Sequence, residues 1–319
     1  MSRALRLPSW LAPSPPDVAV EIAHRRVTVV QVRPGTPPSV AGYAAEALPA
    51  DAVTPSLTGK NVAQPKVVSD TVKRALERAG IKAPGRVSLV IPDAAARVTL
   101  LPFEQMPSRS ADLEQLIRWN VKKSVPFPAE DAALSYVPAS TEGAVTTLAT
   151  VIARREVIAE YEAIADAIGA HAGVVDIASF SLINTAMLAG GAPAGDWLLV
   201  SLADESTTMV IIRGRHLVFH RHKPVADSEP LSALVHQTAM YHEDRLGGTR
   251  FSKLFLSGGA GEAGHERARR EIAERLKADV QTLDLRTAAT LTDRVAAGPE
   301  LLDALAAPVG VLLRERGGA

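Results

Sequence analysis

From Val18 to Val32 the chain reads VAVEIAHRRVTVVQV, with β-branched and apolar residues on both sides of Ala23-His24-Arg25-Arg26. Two such runs around a short break predict a strand, a tight turn and a second strand. A third strand is expected over Val40–Leu48. After a polar, proline-bearing loop, Val67, Val68, Val72, Ala75, Leu76 and Ala79 recur at helical spacing. Gly80 is placed to end that helix, because a residue without Cβ takes the left-handed conformation freely. Arg86–Ile91 (RVSLVI) reads as a short strand buried on both faces.

A second module opens near Leu101. Ser110 is the expected N-cap of a helix whose first turn holds Asp112 and Glu114, where the dipole favours negative charge. Leu113, Leu116, Ile117 and Val121 form its apolar stripe, and Pro126-Phe127-Pro128 ends it. Strands are expected over Ala133–Pro138 and Val145–Ala153, then a helix carrying Val157, Ile158, Tyr161, Ile164 and Ile168. Val174–Ile177 and a small-residue helix through Ala189 follow. Gly190-Gly191-Ala192-Pro193-Ala194-Gly195 reads as a hinge.

Beyond the hinge the opening pattern returns. Asp196–Leu202 is a strand, Ala203–Ser206 a polar turn, and Thr207–Ile212 and His216–Arg221 two more strands. A helix over Glu229–Leu246, a strand over Lys253–Ser257 ending in Gly258-Gly259, and a helix over Arg267–Leu276 complete the repeat. Each half therefore begins with strand–turn–strand and continues into helix and strand. This is a duplication of architecture with negligible sequence identity between the halves.

Composition narrows the function classes. The 319 residues suit about two domains. Apolar residues make up 47% and aromatic residues 4%, so Ala, Val and Leu must fill the core. Lys+Arg and Asp+Glu both number 35, and zero net charge argues against a nucleic-acid partner. Cysteine is absent, which excludes disulfides, thiol catalysis and cysteine-ligated zinc. No apolar run approaches the 18 or so residues of a membrane span. Met1–Pro16 (MSRALRLPSWLAPSPP) sets Leu5, Leu7, Trp10 and Leu11 beside Arg3 and Arg6, broken by prolines. It lacks the core of a signal peptide and is expected to be a flexible leader.

Two duplicated α/β halves, each opening with a hairpin whose turn points into the gap, follow the plan of the actin, sugar-kinase and chaperone ATPase superfamily. Within it the chain resembles PilM, the actin-like family of type IV pilus assembly, over about Pro16 to Arg314. The resemblance is carried in order by VAVEIAHRRVTVVQV, LEQLIRWNVKKSVPFPAED, LLVSLADESTTMVI, LFLSGG and LAAPVGVLLRE. It implies an α/β, actin-like (ribonuclease H-like) duplicated fold, with two lobes and an inserted subdomain in the first. The expected division is a leader over 1–16, a first core subdomain over 17–102 plus 170–190, an inserted partner-docking subdomain over 103–169, and a second lobe over 196–319.

The departures from the family pattern bear on chemistry. Nucleotide-binding members read like Asp-Ile-Gly-Ser at the first turn, where this chain has Glu21, Ile22, Ala23 and His24, then Arg25 and Arg26. Their Asp-x-Gly-x-Gly at the second turn becomes Ser201, Leu202, Ala203, Asp204 and Glu205. Ser201 removes a carboxylate for a magnesium-bound water. Side chains replace glycines that would let phosphate reach backbone N–H groups, and Asp204 and Glu205 place negative charge where polyphosphate would sit. Gly258 and Gly259 survive, which leaves a purine pocket, and with it ATP and magnesium, open. ATP turnover is not expected. The facing turns also suggest a latch, with Arg25 or Arg26 in bidentate contact with Asp204 or Glu205.

In the family, the short cytoplasmic tail of a membrane-anchored partner, PilN, docks between the inserted subdomain and the first core subdomain. The resemblance therefore implies a groove near Leu116, Asn120, Val125 and Phe127. The resulting expectation is a scaffold at the cytoplasmic face of the inner membrane, associated peripherally through a PilN-like tail and other pilus components. Two alternatives remain: an active actin-fold ATPase or kinase with divergent phosphate loops, and a cytoplasmic domain like that of GspL in type II secretion. Other signals are weaker. His220 and His222 would share a strand face, but no carboxylate spacing completes a metal site, so an exposed basic strand is expected. No nucleophile elbow and no dinucleotide fingerprint occurs.

Overall fold

The computed structural model describes residues 15–190, 194–225, 229–259, 261–291 and 298–314. The alternating run at the start forms β1 (Val18–Ile22) and β2 (Arg26–Arg33), which continue into β3 (Ser39–Ala47) as an antiparallel meander. The periodic segment behind them is α1 (Pro65–Arg78), and Gly80 follows it with φ +69°. β4 (Arg86–Ile91) returns parallel to β1.

The chain then leaves this sheet to build another. β5 (Arg97–Phe103), β6 (Ala132–Glu142) and β7 (Val145–Arg154) form a three-stranded sheet in the order β5-β7-β6, with α2 (Ser110–Val121) between β5 and β6 in sequence. Ser110 is the first helical residue rather than the cap. Arg109 holds the cap position, and no side chain bonds to the free N–H groups there. Within β7, Leu148 and Ile152 face α2 and join Ile117 and Val121 in a core. The period of two turns Ala149, Val151 and Ala153 to the opposite face.

The insertion boundaries differ from the expected 103–169. Sheet pairing begins at Arg97, opposite Ile152. At the other end, α3 (Arg155–Ala167) belongs to the first sheet, because Val157, Tyr161 and Ile164 are buried in the same core as β1 and α1. Tyr161 also donates its hydroxyl to Asn61, whose backbone N–H is held by Glu160 at 2.7 Å. β8 (His171–Ile177) then extends the first sheet beside β4, and α4 (Ala178–Gly190) follows. Of the hinge, residues 191–193 lie outside those described.

The second half repeats the plan. β9 (Asp196–Leu202), β10 (Ser206–Arg213) and β11 (His216–Pro224) form the meander, followed by α5 (Leu231–Leu246). β12 (Phe251–Gly258) is parallel to β9, and α6 (Gly261–Leu276) and β13 (Gln281–Thr282) follow. The sheet orders match strand for strand: β3-β2-β1-β4-β8 in the first lobe and β11-β10-β9-β12-β13 in the second. One strand, β14 (Thr290–Leu291), crosses back to pair with β3 at the edge of the first sheet.

The closing motif forms α7 (Pro299–Arg314), buried almost all round from Leu302 to Leu313. A helix apolar on every side must be enclosed. Here α7 and its counterpart α4 lie between the two sheets, and the core they share takes Ala19, Val30 and Val90 from the first sheet and Trp197, Leu199 and Phe255 from the second. The expected 196–319 unit is therefore not self-contained, since its last strand and last helix complete the first lobe. At the crossing, a Cβ on Gly310 would lie 1.9 Å from the Ser181 carbonyl oxygen, and Thr185 donates to the Ala306 carbonyl at 2.6 Å. At the other end of the chain, Pro16 is already buried against Gly173 of β8, so the leader ends before it.

Candidate functional site

The duplicated hairpins face each other across a cleft of about 390 Å³. Both turns are built alike. Ala23 N–H donates to Arg26 O and Ala203 N–H donates to Ser206 O, each at 2.9 Å, leaving His24-Arg25 and Asp204-Glu205 as two-residue tips. His24 Nδ1 is bonded to the Val53 carbonyl at 2.7 Å, which fixes the ring at the cleft wall. Arg25 reaches Asp204 at 3.7 Å. The contact is single and well exposed at both ends, so the expected bidentate latch is replaced by a loose surface pair. Arg26 turns inward instead, donating to Thr28 and lying 3.6 Å from Glu21.

Glu21 is only 8% exposed, and its Oε2 accepts no hydrogen bond. Burial pushes its carboxyl up from the usual range, against the pull of Arg26. Burial likewise raises Glu205. Ser201 lies in register between Thr208 and Ser257 on neighbouring strands. The lining holds the carboxylates of Glu21, Glu46, Asp93, Asp204, Glu205, Glu300 and Asp303 against the guanidinium groups of Arg25 and Arg26.

Asp303, on α7, has no local signature in the sequence. Its carboxylate accepts the Gly258 N–H at 2.9 and 3.0 Å and the Ser257 hydroxyl at 2.8 Å. The backbone donor that the glycine pair offers to the cleft is thus taken by the chain itself. Packing also explains the two glycines. Gly258 has φ +83°, with Leu202 O only 1.9 Å from where a Cβ would lie, and Gly259 has φ +111° against the backbone of His265.

A second cluster that sequence reasoning missed spans the lobes behind the tips. Asp93, just after β4, accepts from Ser179 N–H at 3.1 Å, Ser179 Oγ at 2.6 Å and Thr208 Oγ1 at 3.0 Å. His220 Nε2 lies 3.1 Å from Ser179 Oγ, and His222 Nδ1 lies 3.0 Å from Thr208 Oγ1. Each hydroxyl gives its proton to Asp93, so each imidazole donates to a hydroxyl. The two histidines are half-buried in this network rather than on an exposed basic strand. Burial lowers both, His220 to about 4, so both are neutral. No group of three or more potential metal ligands occurs among the described residues.

Leu116 and Phe127 pack on the inserted subdomain's own core, of which Val125 is part. Asn120 is exposed, and its amide donates to the Leu116 carbonyl at 2.8 Å. The groove beside this subdomain is on the other face of its sheet. It has a volume of about 260 Å³, and Ala133 to Val137 of β6 and Val175 to Ile177 of β8 line it as unbroken stretches. Both are edge strands. Ala149, Val151, Ile158 and Phe180 complete an apolar lining, and Asp176, bonded to Arg314 at 2.8 Å, is its one carboxylate.

Paired β-meander lobes, two helices enclosed between them and a cleft at the hairpin tips define an actin-like α/β protein. The family model for type IV pilus assembly protein PilM matches residues 19–245, and the chain belongs to that family. The solved PilM-PilN type IV pilus biogenesis complex is similar at TM-score 0.80 and 18% identity, covering 95% of this chain and 99% of that one. The cytoplasmic domain of EpsL, an inner-membrane component of the Vibrio cholerae type II secretion system, matches at TM-score 0.48 and 11% identity over 95% of this chain and 94% of that one. An actin-like ATPase-fold protein of Bacteroides thetaiotaomicron matches at 0.47 and 11% over 86% and 91%. No curated protein matches the sequence. No helix among the described residues is long and apolar enough to cross a membrane.

Proposed function

We propose that the chain is a scaffold of a type IV pilus machine. It works without ATP turnover and receives the cytoplasmic tail of a PilN-like inner-membrane protein in the groove between β6 and β8. The observation that carries this reading is the groove itself: two edge strands present consecutive residues to one apolar channel. An extended peptide adds to such an edge through main-chain hydrogen bonds, with alternate side chains entering pockets. The similar solved structure is of a PilM with PilN, which supports the choice of partner. Seated there, the protein would lie at the cytoplasmic face of the inner membrane, beside other pilus components.

The cleft supports the second half of the proposal. Seven carboxylates against two guanidinium groups do not fit a triphosphate, and the Gly258 N–H is already held by Asp303. At the positions that would cradle magnesium and phosphate stand Ser201, Ala203, Asp204 and Glu205. The test is binding of a synthetic PilN-like tail peptide to the full chain and to Val137→Glu, which puts a charge on the exposed wall of the groove. Binding to the first and at least a tenfold loss in the second are expected. Equal binding to both would remove the groove from the reading. Tight binding and hydrolysis of magnesium-ATP would make the chain an enzyme.

A further inference from the structure

We propose that the chain's own N-terminal segment, residues 1–14, is a competing occupant of the β6–β8 groove; this rests on reading that groove as a seat for an extended tail. The segment lies outside the described residues, and its attachment point is what locates it. Pro16 is buried against Gly173 of β8: a Cβ on that glycine would lie 3.1 Å from the proline ring. Val175, Asp176 and Ile177, the next residues along the same strand, line the groove. From Gly173 to Ile177 is about 13 Å at 3.3 Å per residue. Fourteen extended residues span about 46 Å. The segment therefore reaches the whole channel from where it joins the fold. A segment leaving Pro16 toward Ile177 runs antiparallel to β8.

Its chemistry suits the channel. Leu7 precedes Pro8, which biases it away from helix toward extended backbone, and further prolines stand at positions 13 and 15. In that conformation Leu5 and Leu7 share one face and Arg6 takes the other, and Trp10 and Leu11 follow. The channel offers Ala149, Val151, Ile158 and Phe180, with Val137 54% exposed on its wall. Glu130 and Asp131 are exposed where the chain leads into β6, opposite in sign to Arg3 and Arg6. A tethered occupant acts at an effective concentration in the millimolar range, so a tail arriving from another protein must displace it. The groove is in this way a seat that the chain closes on itself.

The test compares the full chain with its Leu5→Asp/Leu7→Asp variant by hydrogen exchange. Both changes lie ahead of the first core residue, and an unchanged thermal midpoint checks that the fold is intact. Amides of Ala133–Val137 and Val174–Ile177 are expected to exchange at least tenfold faster in the variant. Adding a synthetic peptide of residues 1–14 should restore the slow rate. Identical exchange in the two chains overturns the proposal. A PilN-like tail peptide is then titrated into both chains, with at least tenfold tighter binding expected in the variant. Equal tail affinity in both defeats the self-closure and leaves the docking reading standing. Leader protection without any tail binding does the reverse.

Discussion

Replacing His220 by glutamine tests the interlobe network where its physics is most legible. The imidazole donates to Ser179 Oγ at 3.1 Å, and an amide can make the same bond. Burial lowers its pKa from 6.5 to about 4, with Asp93 pulling upward and His222 and Arg97 pushing down. The folded-state value is below the unfolded one, so stability is full above pH 6.5 and is lost as pH falls toward 4. The gap, at about 1.4 kcal/mol per pH unit, comes to about 3 kcal/mol, of which about 2 kcal/mol is gone by pH 5. Urea unfolding of both proteins from pH 7.5 to 4.5 provides the measurement, since other titrating groups cancel in the difference. The native chain is expected to lose about 2 kcal/mol relative to His220→Gln between pH 7.5 and pH 5. Parallel stability curves over that range would refute the reasoning, because the imidazole would then ionise alike in both states.

Three further outcomes follow from geometry. Gly310→Ala forces α4 and α7 apart, because its Cβ would meet the Ser181 carbonyl, and should cost about 3 kcal/mol or more in chemical denaturation. Asp303→Ala strands the Gly258 N–H and the Ser257 hydroxyl and should cost about 2 kcal/mol, while Asp303→Asn, which keeps one acceptor, should cost less. Arg25→Ala removes only an exposed 3.7 Å pair, and its unfolding midpoint should move by less than about 0.5 kcal/mol equivalent.

The hairpins, their tips and most helices were legible because each is encoded within a few residues. Alternation around Ala23-His24-Arg25-Arg26 and around Ala203–Ser206 places both turns, and their lobe-to-lobe facing follows from the duplication. What escaped depends on distant partners. Asp303 meets Gly258 across 45 positions, and Asp93 meets Thr208 across 115. No local period marks either. The groove between β6 and β8 also escaped, because apolar residues such as Leu116 and Val125 mark only the α2 side of the sheet. Only the pairing of β7 with β6 shows that Ala149 and Val151 turn from α2. Ala304 to Leu313 did carry a signal, since an apolar stretch without a polar side has to be enclosed.

The contact at Gly310 has a mechanical corollary. Where the backbone of one rod lies almost on the other, and a hydroxyl from the first bonds to the second one turn away, neither can slide along its neighbour. The crossing of α4 and α7 is therefore a fixed point of the core, which locks the register of the two helices.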